Sequence, residues 1–199
     1  MSKPKAPRAA RGRGIRVIAG TARGRRLVTP DGDRVRPTKD IARESMFSAL
    51  DARGAVEDAK VLDLYAGTGA LAIEALSRGA AAAVLVERDP AALQAIRTNL
   101  QVLGDRTPAE VVARDAGRFL MGGPPPDGGF DLVFVDPPYE TADETITEQL
   151  AVLTAPGWLA PGAIVSVERP LRHPVVPPPG LSTGWERAFG DTLLSFLFL

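Results

Sequence analysis

Val61-Leu62-Asp63-Leu64-Tyr65-Ala66-Gly67-Thr68-Gly69-Ala70-Leu71-Ala72 decides the fold. An apolar strand runs directly into Gly-x-Gly, and a helix-forming segment follows. Glycines there let the chain turn sharply and let a ligand approach without a Cβ clash, while the new helix offers free N–H groups at its start. Glu87 closes the next apolar run, 20 residues after Gly67. A carboxylate in that place can accept from both hydroxyls of an adenosine ribose. Asp63 can accept from the ammonium of an amino-acid moiety, directly or through water. The turn alone also matches the looser dinucleotide fingerprint, which expects an acid at the same distance, and a purely structural glycine turn. Asp63 favours a sulfonium cofactor, because a pyrophosphate beside that carboxylate would be repelled.

Outward from this turn, strand and helix alternate. Residues 60–64, 82–86, 110–113, 131–135 and 163–167 read as strands, and 70–78, 90–103, 117–120 and 145–153 as helices. Asp89 caps the second of these helices with Pro90 at its first position. The rhythm predicts an α/β fold with a mostly parallel, doubly wound sheet. It breaks at the end, where two apolar runs flank Gly190-Asp191 and predict a closing antiparallel hairpin. Before the turn, residues 15–18 and 25–28 are β-like runs joined by 19–24, a small basic hairpin. A helix is expected over 39–52, with Thr38 as its N-cap. Residues 1–14 read as a disordered basic tail, residues 15–199 as one domain, and 15–30 as its N-terminal extension. Phe47, Phe119, Trp158 and Trp185 read as packing residues.

The second motif is Asp136-Pro137-Pro138-Tyr139, directly after the buried run 130–135. This places it at the carboxyl end of a central parallel strand, where open α/β sheets hold ligands. Two prolines fix φ, and Pro137 has a carbonyl but no N–H. The Asp136 carboxylate and a proline carbonyl make an acceptor-only pocket, the complement of an exocyclic amino group with its two donors. Acceptors gripping both hydrogens favour a pyramidal nitrogen with its lone pair aimed outward, and stabilise the positive charge that develops on alkylation. Tyr139 offers a face on which a flipped base can stack. The plain alternative is a rigid turn capping a strand.

Charge is unevenly distributed. The 199 residues carry no net charge, yet residues 1–43 hold 13 Lys/Arg against 3 Asp/Glu, and the remainder the opposite excess. A polyanion suits such a head, although a solvated tail explains residues 1–14 equally well. The absence of cysteine excludes disulfides, thiol catalysis and zinc-cysteine sites, and one histidine, His173, cannot make a metal site alone. No apolar run approaches a membrane span and the N-terminus has no secretory apolar stretch, so a cytoplasmic location is expected. Two weaker candidates complete the reading. Asp115 either reads the cofactor's adenine amino group or caps the short helix after it. Arg36-Pro37-Thr38 with Arg43 either closes over the methionine end of the cofactor or belongs to an ordinary amphipathic helix.

Taken together, these segments resemble the RsmD family of bacterial 16S rRNA guanine-N2 methyltransferases. The resemblance runs from about Ile15 to the C-terminus. It is carried by Arg16-Val17-Ile18-Ala19-Gly20 with Arg23-Gly24-Arg25-Arg26-Leu27, by Arg36-Pro37-Thr38 with Arg43-Glu44-Ser45-Met46-Phe47, by residues 63–71 with Glu74-Ala75-Leu76-Ser77-Arg78-Gly79-Ala80, and by Glu87 and Asp136 to Tyr139. It implies a Rossmann-like class I methyltransferase that uses S-adenosyl-L-methionine, holding it with Asp63, Tyr65, Ala66, Gly67, Thr68, Gly69 and Glu87; Asp115, Thr38 and Arg43 remain cofactor candidates from the residues themselves. It implies catalysis at Asp136, Pro137, Pro138 and Tyr139, and RNA binding by Arg16, Arg23, Arg25, Arg26 and Arg36. The partner would be 16S rRNA or an assembling small subunit; no metal is expected from the composition, and a monomer is the default for this size and chemistry. Residue spacing itself leaves guanine and adenine open as target. An adenine-N6 methyltransferase is the nearest alternative, a nicotinamide-dependent oxidoreductase or a non-catalytic RNA-binding protein the more distant ones.

Overall fold

A computed structural model describes residues 14–30, 37–104 and 107–199, with residues 37–39 described by backbone only. In chain order it contains α1 (Pro37–Asp51), β1 (Lys60–Asp63), α2 (Ala70–Ser77), β2 (Ala82–Glu87), α3 (Pro90–Leu100), β3 (Ala109–Ala113), α4 (Ala116–Leu120), β4 (Phe130–Val135), α5 (Asp143–Leu153), β5 (Leu159–Pro170), β6 (Ser182–Phe189) and β7 (Thr192–Phe198). The strands form one seven-stranded sheet in the order β3-β2-β1-β4-β5-β7-β6. Neighbours from β3 to β5 are parallel, and β7 pairs antiparallel with both β5 and β6. Strand order reverses direction between β1 and β4, the switch point at which ligands bind in such sheets.

The strand cores are apolar on both faces because helices cover both. On one face Phe47 of α1 packs on Phe134 of β4 at 5.7 Å between ring centroids, among Leu50, Val61, Ala72 and Phe196. On the other, Phe119 meets Trp158 edge-on at 5.7 Å, among Leu62, Val133, Leu150 and Val165. Trp185 stacks on Phe196. All four aromatics with packing roles in the sequence are thus ring-packed.

Several boundaries differ from expectation for identifiable reasons. β5 begins at Leu159 rather than near residue 163, because Ala160-Pro161-Gly162 forms an irregular, outward stretch between two paired segments. Pro-Gly reads locally as a turn, and only the neighbouring strand reveals that pairing resumes beyond it. α5 starts at Asp143, with Asp143 and Glu144 in its first turn, where carboxylates suit the helix dipole. α1 starts at Pro37, so Thr38 lies inside its first turn rather than at the cap position, and the side chain of Thr38 lies outside the described residues. Arg36 and residues 1–13 also lie outside them.

The N-terminal extension is a narrow hairpin with one ladder bridge, Arg16 to Arg26, supported by Val17 N–H to the Arg25 carbonyl at 3.0 Å and Leu27 N–H to the Ile15 carbonyl at 2.9 Å. So short a pairing cannot stand alone. It is fixed to α2 by Glu74, which is fully buried. The Glu74 carboxylate accepts from the N–H groups of Ile18 at 2.6 Å and Ala19 at 2.9 Å and from Arg78 Nε at 2.7 Å. Gly20 then passes so close to α2 that a Cβ would sit 1.7 Å from the Ser77 carbonyl oxygen, at a φ of 77°. Only glycine permits that approach. The hairpin is therefore docked along a helix of the core, with Val17, Ala22 and Leu27 buried against Ile73.

Candidate cofactor and amino-group site

The glycine turn is built as its sequence requires. Gly67 and Gly69 have φ of 53° and 77°, and Gly69 N–H donates to the Ala66 carbonyl at 2.6 Å. A Cβ on Gly69 would meet Leu85 and Ile73 side chains at 3.1 and 3.3 Å. Ala66 and Thr68 are buried, and the Thr68 carbonyl accepts from Asn99 Nδ2 at 2.9 Å. The turn is thus tied to the end of α3.

Glu87 ends β2 beside this turn. One oxygen accepts from Gly67 N–H at 2.8 Å, and the other from Arg88 and Asp89 N–H at 2.7 and 2.8 Å. A carboxylate has about four acceptor positions, so a carboxylate aimed by three backbone donors keeps capacity for a ribose hydroxyl. Asp63 is 1% exposed. Its Oδ2 accepts from Ala72 N–H at 3.3 Å, whereas its Oδ1 is buried without a hydrogen-bond partner. An orphaned buried carboxylate oxygen is costly unless something donates to it, and a cationic amino group is the fitting donor.

Burial pushes the Asp63 carboxyl up to about 7; the Ala72 N–H works against this, and the charges of Asp136 and Glu87 add to it. The folded value exceeds the unfolded one, so the ligand-free fold takes up the proton more readily than the open chain and loses stability as pH climbs from about 4 toward 7. We expect the wild-type melting temperature to fall relative to that of Asp63→Asn between about pH 5 and pH 8. Parallel pH profiles for the two proteins would contradict this environment for Asp63.

A cavity of about 770 Å³ opens over the strand ends and is lined by Tyr65, Glu87, Asp115 and all of Asp136 to Tyr139. Tyr65 of the first motif and Glu87 therefore share one cavity with the second motif. Asp63 and residues 66–69 are not on its wall; they form the buried turn behind Tyr65. Tyr65 donates its hydroxyl to Gln149 Oε1 at 2.7 Å, and burial raises its pKa. Asp115 is the N-cap of α4, accepting from Arg118 N–H, and also pairs with Arg88 at 3.1 Å. It caps the helix and faces the cavity at once. Tyr139 is partly exposed, its hydroxyl 3.3 Å from Thr192 Oγ1.

Arg43 does not line this cavity. It is 7% exposed and donates to the Arg16 carbonyl at 2.6 Å and to Asp40 at 3.2 Å. The guanidinium thus ties α1 to the hairpin. Arg16, Arg23, Arg25 and Arg26 are exposed on the extension, and Arg16 donates to the Gly24 carbonyl at 2.9 Å. Among the described residues no group of His, Cys, Asp and Glu could hold a metal ion, and no helix is long and apolar enough to cross a membrane.

Sequence reasoning missed Gln149, Arg88 and Arg114 on the cavity wall. For Gln149 a signal existed: Ile146, Gln149, Leu150 and Leu153 form the buried stripe of α5, and a glutamine on such a stripe needs a polar partner. Nothing in the sequence distinguished the two arginines from other surface cations.

A family described as Conserved hypothetical protein 95 matches residues 15–198. The chain is 41% identical over 165 residues to ribosomal RNA small subunit methyltransferase D of Escherichia coli, covering 82% of this chain and 79% of the relative. It superimposes on the solved structure of the Escherichia coli protein yhhF with a TM-score of 0.79 at 38% identity, over 92% of this chain and 97% of that one. In fold alone it also resembles magnesium protoporphyrin IX methyltransferase of Synechocystis with bound SAM, at a TM-score of 0.63 and 16% identity, over 81% and 79% of the two chains. The chain belongs to the RsmD family, that of ribosomal RNA small subunit methyltransferase D.

Proposed function

We propose that this protein methylates the exocyclic N2 amino group of one guanine in 16S rRNA, in the cytoplasm, as a monomer acting on the small subunit during its assembly. The observation that carries the reading is the single cavity in which Asp136 to Tyr139 meet Tyr65, Glu87 and Asp115. Small-subunit rRNA as substrate is supported by the name of the Escherichia coli relative and by the exposed arginines of the docked hairpin.

The residues fit S-adenosyl-L-methionine. When bound, it supplies a methyl group on a positively charged sulfonium. Glu87 would take the ribose hydroxyls, Asp63 Oδ1 the ammonium, and Asp115 the adenine amino group. Asp136 and the Pro137 carbonyl hold the two hydrogens of the substrate amino group. This removes its lone pair from conjugation and stabilises the charge that appears on nitrogen. The N–C bond forms as the methyl–sulfur bond breaks, and the surplus proton leaves the now acidic nitrogen to Asp136 or water. Tyr139 supplies a stacking face for a base taken out of its stack.

The direct test is incubation with tritium-labelled S-adenosyl-L-methionine and small-subunit particles from a strain lacking the enzyme. We expect label in 16S rRNA and cofactor binding by calorimetry. No label in RNA and no heat of binding would overturn the reading.

A further inference from the structure

Tyr139 lines two cavities. The second, about 740 Å³, lies on its other side and is lined by Ala42, Glu168, Pro170, Phe189 and Thr192 as well. Glu168 has a defined relation to the Asp136 motif. Val167 of β5 is in register with Val135, the last residue of β4, so Glu168 is the next residue of β5 and Asp136 the first past the end of β4, where the two parallel strands are about 4.8 Å apart. Strand alternation puts Glu168 on the face of Ser166, whose hydroxyl meets Met46 of α1. It is therefore on the side of the sheet from which Ala42 of α1 closes the cavity. Glu168 is half-buried.

We infer that Glu168 accepts from N1–H of the acceptor guanine and makes the site read guanine rather than adenine. This rests on the function proposed above. The edge of guanine beside its amino group presents a second donor, N1–H. Beside the amino group of adenine, N1 is a bare lone pair. Asp136 and Pro137 grip an amino group and cannot distinguish the two bases. A third acceptor one strand over can: it satisfies N1–H of guanine and opposes the N1 lone pair of adenine. Leaving a buried donor unpaired, or setting two acceptors against each other, is the arrangement by which polar sites discriminate most strongly. The cavity has the volume for a base and a Tyr139 wall that it shares with the first cavity, and it holds Glu168 one strand over from Asp136, which lines the first cavity with Pro137.

The test uses a synthetic rRNA segment carrying either guanine or 2-aminopurine at the methylated position. 2-Aminopurine keeps the amino group and lacks N1–H. Wild type is expected to methylate guanine roughly 10- to 100-fold faster, the discrimination typical of one well-made base contact. In Glu168→Gln the amide can donate to the bare N1, so the preference should shrink or invert while cofactor affinity by calorimetry stays unchanged. Glu168→Asp retains an acceptor and should keep the preference at a lower rate. A Glu168→Gln protein that binds cofactor and keeps the wild-type ratio would overturn the inference while leaving the methyltransferase reading intact. So would a ratio that responds to Asp191→Asn, the other carboxylate of this cavity, and not to Glu168. Failure of wild type to methylate guanine would overturn the function reading, and this inference with it.

Discussion

Asp136→Ala should lose roughly 100- to 1,000-fold in kcat while binding S-adenosyl-L-methionine about as well as wild type, the range seen when one preorganised electrostatic partner of a transition state is removed. Asp136 follows β4 directly and lines the cavity with Pro137, Pro138 and Tyr139, so its carboxylate is held by a strand end and a rigid proline pair rather than by a mobile loop. In the proposed mechanism it stabilises the charge that develops on the substrate nitrogen, which is why the loss should fall on kcat. In the function proposed above the cofactor is held instead by Glu87, aimed by three backbone N–H groups, so its affinity should survive the substitution. Removing the Asp136 charge also lessens the upward push on the Asp63 carboxyl, a small effect in favour of the cationic ligand. Single-turnover methylation and calorimetry separate the two quantities. Wild-type rates in Asp136→Ala would exclude the acceptor-pocket mechanism.

The triple variant Arg23→Ala, Arg25→Ala, Arg26→Ala should weaken rRNA binding and reduce the slope of log K against log salt by roughly 2 to 3, since each neutralised phosphate contributes about 0.7 to 0.9. These side chains are exposed, whereas the hairpin is held by backbone bonds to Glu74 and by Val17, Ala22 and Leu27. The substitutions therefore remove charge and spare the dock. An unchanged slope, measured by filter binding over a salt series, would remove the hairpin from the RNA interface.

The legible parts of the molecule were those specified locally. Apolar runs, the Gly67–Gly69 turn, Asp89 with Pro90, and the closing hairpin around Gly190 each carry their own geometry, and the structure places them as read. Asp136 to Tyr139 were legible because a motif after a central strand of such a sheet must emerge at its ligand edge. What was not legible depends on tertiary partners. Arg43 on an amphipathic helix could equally face a ligand or a neighbouring loop, and the docked hairpin decides for the Arg16 carbonyl. Glu74 reads as a helix residue, yet it is a buried anchor of the N-terminal extension at Ile18 and Ala19. The start of β5 before Pro161 is visible only beside β4. Glu168 gains meaning only from its register with β4, which no local pattern encodes.

Whether methyl goes to N2 of guanine in small-subunit rRNA is decided by the identity of the labelled nucleoside. Particles labelled from tritiated S-adenosyl-L-methionine are digested to nucleosides and separated by chromatography. The label is expected to elute as N2-methylguanosine. Label in N6-methyladenosine would contradict the guanine assignment and the role given to Glu168, while keeping the amino-group chemistry of Asp136.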